Sequence, residues 1–300
     1  MNRMTKSNVA LAEQLIESIQ KEYDACGIAV AVINKKGETQ YQKFFGYRDE
    51  EKKLPIDENT IFGLASVTKS FTSLAIMQMA EKGILSLDDP ISKYIPEFTN
   101  KNQDTVRIWH LMCHSGGFFP LPRIVVEDVA KSLNLNKEID GDLAYNDKMA
   151  AEGVKLVAER LDSQTMENGL IGHAGEYLSY CNDGFGLLSD IIRRYGKEAS
   201  YADYLNEHIL KPLGMDRSGC DFVKPAKDEN AAILYKKENG VKVSHRNYHD
   251  NAFVLNGGGA MKSTLADLKK YLAMYLNEGT GLDGTHILDE YGIHEMCKPR

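Results

Sequence analysis

Ser66 and Lys69 stand three residues apart in Phe62-Gly63-Leu64-Ala65-Ser66-Val67-Thr68-Lys69-Ser70. On a helix that spacing puts a hydroxyl and an amine on one face. Leu74, Ile76, Met77 and Ala80 follow at core-facing intervals, while Pro55, Asp57, Asn59 and Gly63 break regular structure ahead of them. A helix is therefore predicted to begin at Ala65 or Ser66. A serine in its first turn meets free backbone N–H groups and the positive end of the helix dipole, which favour developing negative charge. Burial and the same dipole disfavour an ammonium at Lys69, so its amine is expected to accept a proton part of the time. That is the chemistry of an activated nucleophile. By itself the tetrad reads more simply as a serine N-cap followed by a solvent-facing lysine, and only its context favours the nucleophile.

A second constellation lies at Tyr180-Cys181-Asn182, on the connection into a helix. In an extended segment Tyr180 and Asn182 point to the same side. A phenol titrates near pH 10, and a nearby lysine cation favours its phenolate. Tyr180 is thus a candidate to take the Ser66 proton, with Lys69 tuning it. Asn182 carries a donor and an acceptor and suits a substrate amide. A packed tyrosine and a turn-capping asparagine would read the same. An exposed thiol at Cys181 would be open to oxidation.

Other candidates carry less. His245 and His249 are four apart, but no zincin glutamate accompanies them and the stretch is strand-like, so no metal is expected. His110 and His114 share that spacing; the second lies in a glycine loop and is expected to fix its backbone. Gly257-Gly258-Gly259 lacks the lysine of a phosphate loop and reads as a backbone passage near the site. Trp109 is expected in the core.

These residues must be held by a fold. The spacing predicts a helix from Asn8 to Tyr23, with Leu11, Leu15, Ile16 and Ile19 inward and Glu13, Glu17 and Lys21 outward. Gly27 to Ile33 is a continuous β-branched run, expected as a strand buried on both faces, and Thr39 to Tyr47 returns across an Asn34–Glu38 turn. From Ala65 onward helices dominate, including 144–161, 183–195 and 201–210, with 120–174 the least patterned region. Val241 to Tyr248 is a possible strand, and Thr264 and Asp267 are placed as a capping box for a helix to Leu276. The order suggests an α/β unit with an inserted all-α domain: residues 1–60 and 255–300 as the sheet domain, 61–254 as the mostly helical one.

Composition narrows the partners. The 300 residues carry 43% apolar and 26% charged side chains and a net charge of −7. That is ordinary for a globular protein and lacks the basic patch a nucleic acid or anionic membrane calls for. No apolar leader follows Met1 and no run approaches a membrane span. Five scattered cysteines without C-x-x-C spacing suit reduced thiols, hence a cytoplasmic location. A small-molecule or peptide substrate is expected, with no cofactor. Oligomeric state is not legible.

Taken together the motifs resemble the serine β-lactamase and penicillin-binding protein superfamily, in its class C-like branch with related esterases and D-aminopeptidases. The matching pieces run in family order: the Ser66 and Lys69 stretch, Leu87-Asp88-Asp89-Pro90, Leu111-Met112-Cys113-His114-Ser115-Gly116-Gly117, Tyr180-Cys181-Asn182, Pro212-Leu213-Gly214-Met215, and Gly258-Gly259-Ala260-Met261-Lys262-Ser263-Thr264. The resemblance implies a β-lactamase/transpeptidase-like antiparallel sheet flanked by helices. It implies Ser66 as nucleophile, Lys69 as its activating partner, Tyr180 as general base and Asn182 in substrate contact, with the Ser66 N–H as half of an oxyanion hole. The implied activity is an acyl-enzyme serine hydrolase acting on an ester, a D-amino-acid peptide or a β-lactam. The family's Lys-Thr-Gly or His-x-Gly strand comes after the region matching Leu265 to Arg300, so the late strands are expected to be missing and a hairpin edge exposed. A reading from another class is a non-catalytic binding or regulatory module that keeps the fold.

Overall fold

A computed structural model describes residues 5–99, 105–121, 131, 134, 152–220, 225, 227–245 and 256–299. The chain divides into two compact units: Met1–Gly63, Leu210–Tyr248 and Lys262–Ile287 form one, and Leu64–Ile209, His249–Met261 and Leu288–Arg300 the other.

The first unit carries the strands. α1 (Lys6–Glu22) is capped by Thr5, whose hydroxyl accepts from Asn8 N–H. β1 (Gly27–Ile33), β2 (Thr39–Asp49) and β3 (Leu54–Pro55) form an antiparallel sheet in the order β1-β2-β3. The hairpin between β1 and β2 is closed by Asn34, whose side-chain oxygen accepts from the amides of Lys36 and Glu38. β1 is therefore an edge strand among the described residues. It is half-buried with Val32 exposed, not enclosed on both faces as its apolar run suggests. The face of α1 also departs from expectation. Glu13 faces β2 and binds Tyr41 OH at 3.1 Å and Lys43 Nζ at 2.6 Å, while Leu11, Leu15 and Ile19 are exposed. A paired carboxylate has taken the inward position that the apolar stripe was expected to hold.

β4 (Phe62–Gly63), β5 (Leu234–Glu238), β6 (Val241–His245) and β7 (Lys262–Ser263) complete the strands, β4 pairing with β7 and β5 with β6. Residues 210–248 belong here and not to the helical block. The amide of Ile61 donates to Asn230 O and its carbonyl accepts from Ala232 N, while Gly219 and Lys262 exchange both backbone bonds. The helix Leu265–Leu276 packs on β1. Its cap Thr264 accepts from the Asp267 amide, but the Asp267 carboxylate accepts from Arg217 N and Ser218 Oγ, so the expected box is only half made.

The second unit is helical. α2 (Thr68–Glu81) follows a 3₁₀ turn at Ala65–Val67 and is its buried axis, with Phe71, Leu74, Ala75, Ile76 and Met79 fully enclosed. In the loop before α3 (Ile108–Met112), Asp89 accepts from Tyr94 OH, Lys93 Nζ and Ser86 N. The Tyr94 bond leads in holding this carboxyl down to about 2, against a smaller opposing effect of burial. Trp109, expected in the core, is half-buried. Its ring packs 3.9 Å from that of His110 and lines a cleft of about 540 Å³ with Met77, Leu85, Leu288 and Tyr291.

A helix described over 152–162 (α4) is followed by α5 (Asn182–Tyr195), which buries Phe185, Leu187, Leu188, Ile191 and Ile192. α6 (Tyr201–Leu205) passes into a π-helical turn, Asn206–Leu210. The glycine passage is one helical turn, α7 (Asn256–Gly259). The helix Glu290–Cys297 packs against α2, and the Asp289 amide donates to Glu81. None of the described helices is long and apolar enough to cross a membrane. Most of the 120–174 region, His249 and the end of the 241–248 strand lie outside the described residues, as does the His245 side chain.

Candidate active site

The nucleophile candidate sits where the backbone is strained. Ala65 has φ +44°, in the left-handed region that side chains rarely adopt. The 3₁₀ turn follows at once, then α2. Ser66 is thereby set in the first turn, exposed, with the orphan amides of a helix start around it. Lys69 lies one turn on and is 8% exposed.

Three elements of the helical unit converge on Lys69 Nζ. It lies 3.3 Å from Ser66 Oγ, 2.7 Å from Asn182 Oδ1 at the start of α5, and 2.8 Å from the Gly258 carbonyl of α7. Two of these partners are carbonyl oxygens and take a proton each. The remaining position of the nitrogen, aimed at Ser66, holds a third proton in the ammonium and a lone pair in the amine. The same nitrogen lies 4.7 Å from the Tyr180 ring centroid and 5.4 Å from that of Phe185.

The Tyr180 hydroxyl donates to Ser66 Oγ at 2.6 Å. The residue is 47% exposed, so the hydroxyl pair is open to a substrate. Burial of the phenol opposes its ionisation. Hydrogen bonds with Lys69 and Ser66 and the Lys69 charge together outweigh that and hold Tyr180 below the ordinary phenol value. Asn182 is exposed, and because Lys69 occupies its oxygen, its NH₂ is the group left for an incoming acceptor.

The wall around Lys69 is built by small residues and hydroxyls. Thr68 Oγ1 donates to Ala65 O at 2.6 Å and accepts from Met261 N at 3.0 Å. Thr72 Oγ1 donates to Gly257 O at 2.8 Å and lies 2.8 Å from Tyr201 OH. A Cβ on Gly257 would stand 2.5 Å from Phe185 O and 2.9 Å from Ser189 Cβ, so α7 reaches α5 at this distance only as glycine.

Ser66, Lys69, Tyr180 and Asn182 are thus brought together, and the glycine run supplies a carbonyl to the same cluster. Sequence reasoning placed that run near the site but missed the Gly258 oxygen as a Lys69 acceptor. Backbone acceptors leave no residue-type signal. Phe185 is buried in α5 and also sets its ring beside the lysine. Cys181 is buried beside Asp183, and burial pushes its thiol up to about 12, so the exposure that oxidation needs is not there. His110 is buried, its Nδ1 accepting from the Arg107 amide, which is a helix-start role.

A family model described as Beta-lactamase matches residues 12–291. "Protein flp" of Staphylococcus aureus (strain MW2) is 28% identical over 216 residues, which are 71% of this chain and 38% of that protein. The chain thus spans about two fifths of that relative's length. Among solved structures, the octameric penicillin-binding protein homologue from Pyrococcus abyssi is 29% identical. It superposes with a TM-score of 0.75 over 96% of this chain and 59% of that one. EstCE1, described as a hydrolase with promiscuous acyltransferase activity, is 22% identical, with a TM-score of 0.68 over 96% and 77% of the two chains, a likeness of fold.

Proposed function

Since the chain belongs to the beta-lactamase family, we propose that it is a serine hydrolase working through an acyl-enzyme on Ser66, with an ester or amide substrate. The observation that carries the reading is the 2.6 Å contact between Tyr180 OH and an exposed Ser66 Oγ, with Lys69 Nζ 3.3 Å from the same oxygen.

In the reactive form Tyr180 is a phenolate and takes the Ser66 proton along that contact. Ser66 Oγ bonds to the substrate carbonyl carbon, and the carbonyl π pair moves to oxygen. The Ser66 amide, in the first turn, donates to that oxyanion. When the C–O or C–N bond of the leaving group breaks, Tyr180 OH returns its proton to it. A water then attacks the acyl ester, giving one proton to Tyr180. The ester bond breaks and Ser66 recovers its hydrogen from the phenol. Lys69 keeps a positive charge beside the phenolate, and the NH₂ of Asn182 orients the substrate carbonyl. Carboxylesters, D-amino-acid peptides and β-lactams all fit this chemistry.

The test is covalent labelling. A fluorophosphonate or β-lactam probe is expected to add its mass to the Ser66 peptide, and Ser66→Ala to lose both the adduct and p-nitrophenyl ester turnover while keeping its circular dichroism. Wild-type protein that turns over neither class and carries no Ser66 adduct would sink the proposal.

A further inference from the structure

His114 surrounds the tyrosine in a way the sequence does not show. Its backbone has φ +55°, a conformation that costs an L-residue about 1 kcal/mol and persists where other contacts demand it. The contacts are on both sides of Tyr180. The His114 carbonyl accepts from the Ser179 amide at 2.8 Å, and its Nδ1 accepts from the Cys181 amide at 3.1 Å. Between these anchors the imidazole lies against the phenol ring, with centroids 4.2 Å apart and planes at 32°. Its other neighbour is Phe185, at 5.1 Å.

We infer that His114 is a positioning residue that aims the Tyr180 hydroxyl at Ser66 Oγ, through the two peptide bonds it anchors and the ring it backs. The inference rests on the hydrolase reading above and deepens it. A ring nitrogen that accepts an amide N–H holds no proton, so the neutral imidazole carries its hydrogen on Nε2. Burial, helped by the Lys69 charge, depresses the ring to about 4, which keeps that acceptor intact at neutral pH. His114 touches no reacting atom. Its effect is geometric, and a displacement of about 1 Å at a general base is enough to slow a reaction by about 10²-fold.

The experiment compares acylation rates of wild type, His114→Ala and His114→Asn with a fluorophosphonate probe and a p-nitrophenyl ester. Alanine is expected to lower kcat by about 10- to 100-fold with KM little changed. Asparagine tolerates the left-handed backbone, offers a side-chain oxygen to the Cys181 amide, and is expected to restore most of the loss. In the Tyr180→Phe background, His114→Ala is expected to add no further loss, because the group it aims is gone; a general weakening of the fold would add. Undiminished acylation in folded His114→Ala overturns the inference, as do losses that add in the double variant. If the alanine variant does not fold, the asparagine variant decides, and a folded His114→Asn slowed more than tenfold overturns it. Wild-type protein without any Ser66 adduct takes down the hydrolase reading and this inference with it, a result distinct from normal wild-type labelling that His114 variants leave unchanged.

Discussion

At the scale of single residues, the chemistry turns on which atom holds which proton. Lys69 meets two carbonyl acceptors and one hydroxyl, and Tyr180 shares its oxygen with Ser66. The sign of the pH response follows from the direction of the Tyr180 shift. The reactive form is the phenolate, its fraction grows with pH, and Tyr180 is held below the ordinary value of about 10. Values of kcat/KM should therefore climb with pH and level off below about 10. Lys69→Met, which removes the charge and keeps the stem, should move that plateau to more alkaline pH. Tyr180→Phe should slow acylation by about 10²–10⁴-fold at neutral pH, measured as single-turnover release of the leaving group. The side chains of this cluster were legible because serine, lysine, tyrosine and asparagine occur in spaced motifs. The Gly258 oxygen was not, since every residue offers a carbonyl and only folding selects one.

At the scale of elements, the site depends on α2, α5 and α7 meeting at close range. Gly257 is the tightest point: an alanine there must push back a carbonyl and a Cβ of α5. Gly257→Ala is expected to lose about 1–3 kcal/mol in a urea titration. It should also lose more activity than its residual folded fraction explains, because moving α7 withdraws the Gly258 oxygen from Lys69. Element types were readable where periodicity was strong. The α5 run of Phe185, Leu187, Leu188, Ile191 and Ile192 fills one face, and β1 spans the residues expected of it. Orientation was less readable. The same apolar residues fit α1 either way up, and the Glu13 bonds to Tyr41 and Lys43, made across 28 and 30 residues of sequence, decide which face is inward. The glycine run became a helical turn because its close approach to α5, not its propensity, sets its backbone.

At the scale of the whole molecule, the chain carries apolar surface that the described residues do not cover. Among the described residues β1 has one strand neighbour, and Leu11, Leu15 and Ile19 are exposed on α1. Unpaired edges and apolar stripes promote self-association. A Leu11→Glu, Leu15→Glu variant is expected to melt within a few degrees of the parent, as surface changes generally do, and to scatter less light at high concentration. The placing of 210–248 beside the strands was not legible in the sequence, because it depends on backbone pairing of Ile61 and Lys262 with distant residues. An exposed serine stands beside a lysine that is 8% exposed. Electrophiles that seek hydroxyls reach the native protein, whereas cyanate or an N-hydroxysuccinimide ester reaches the amine of Lys69 only when the surrounding helices part. The speed at which that one lysine is carbamylated is thus a built-in clock for breathing of the helical unit, read peptide by peptide without any substrate at all.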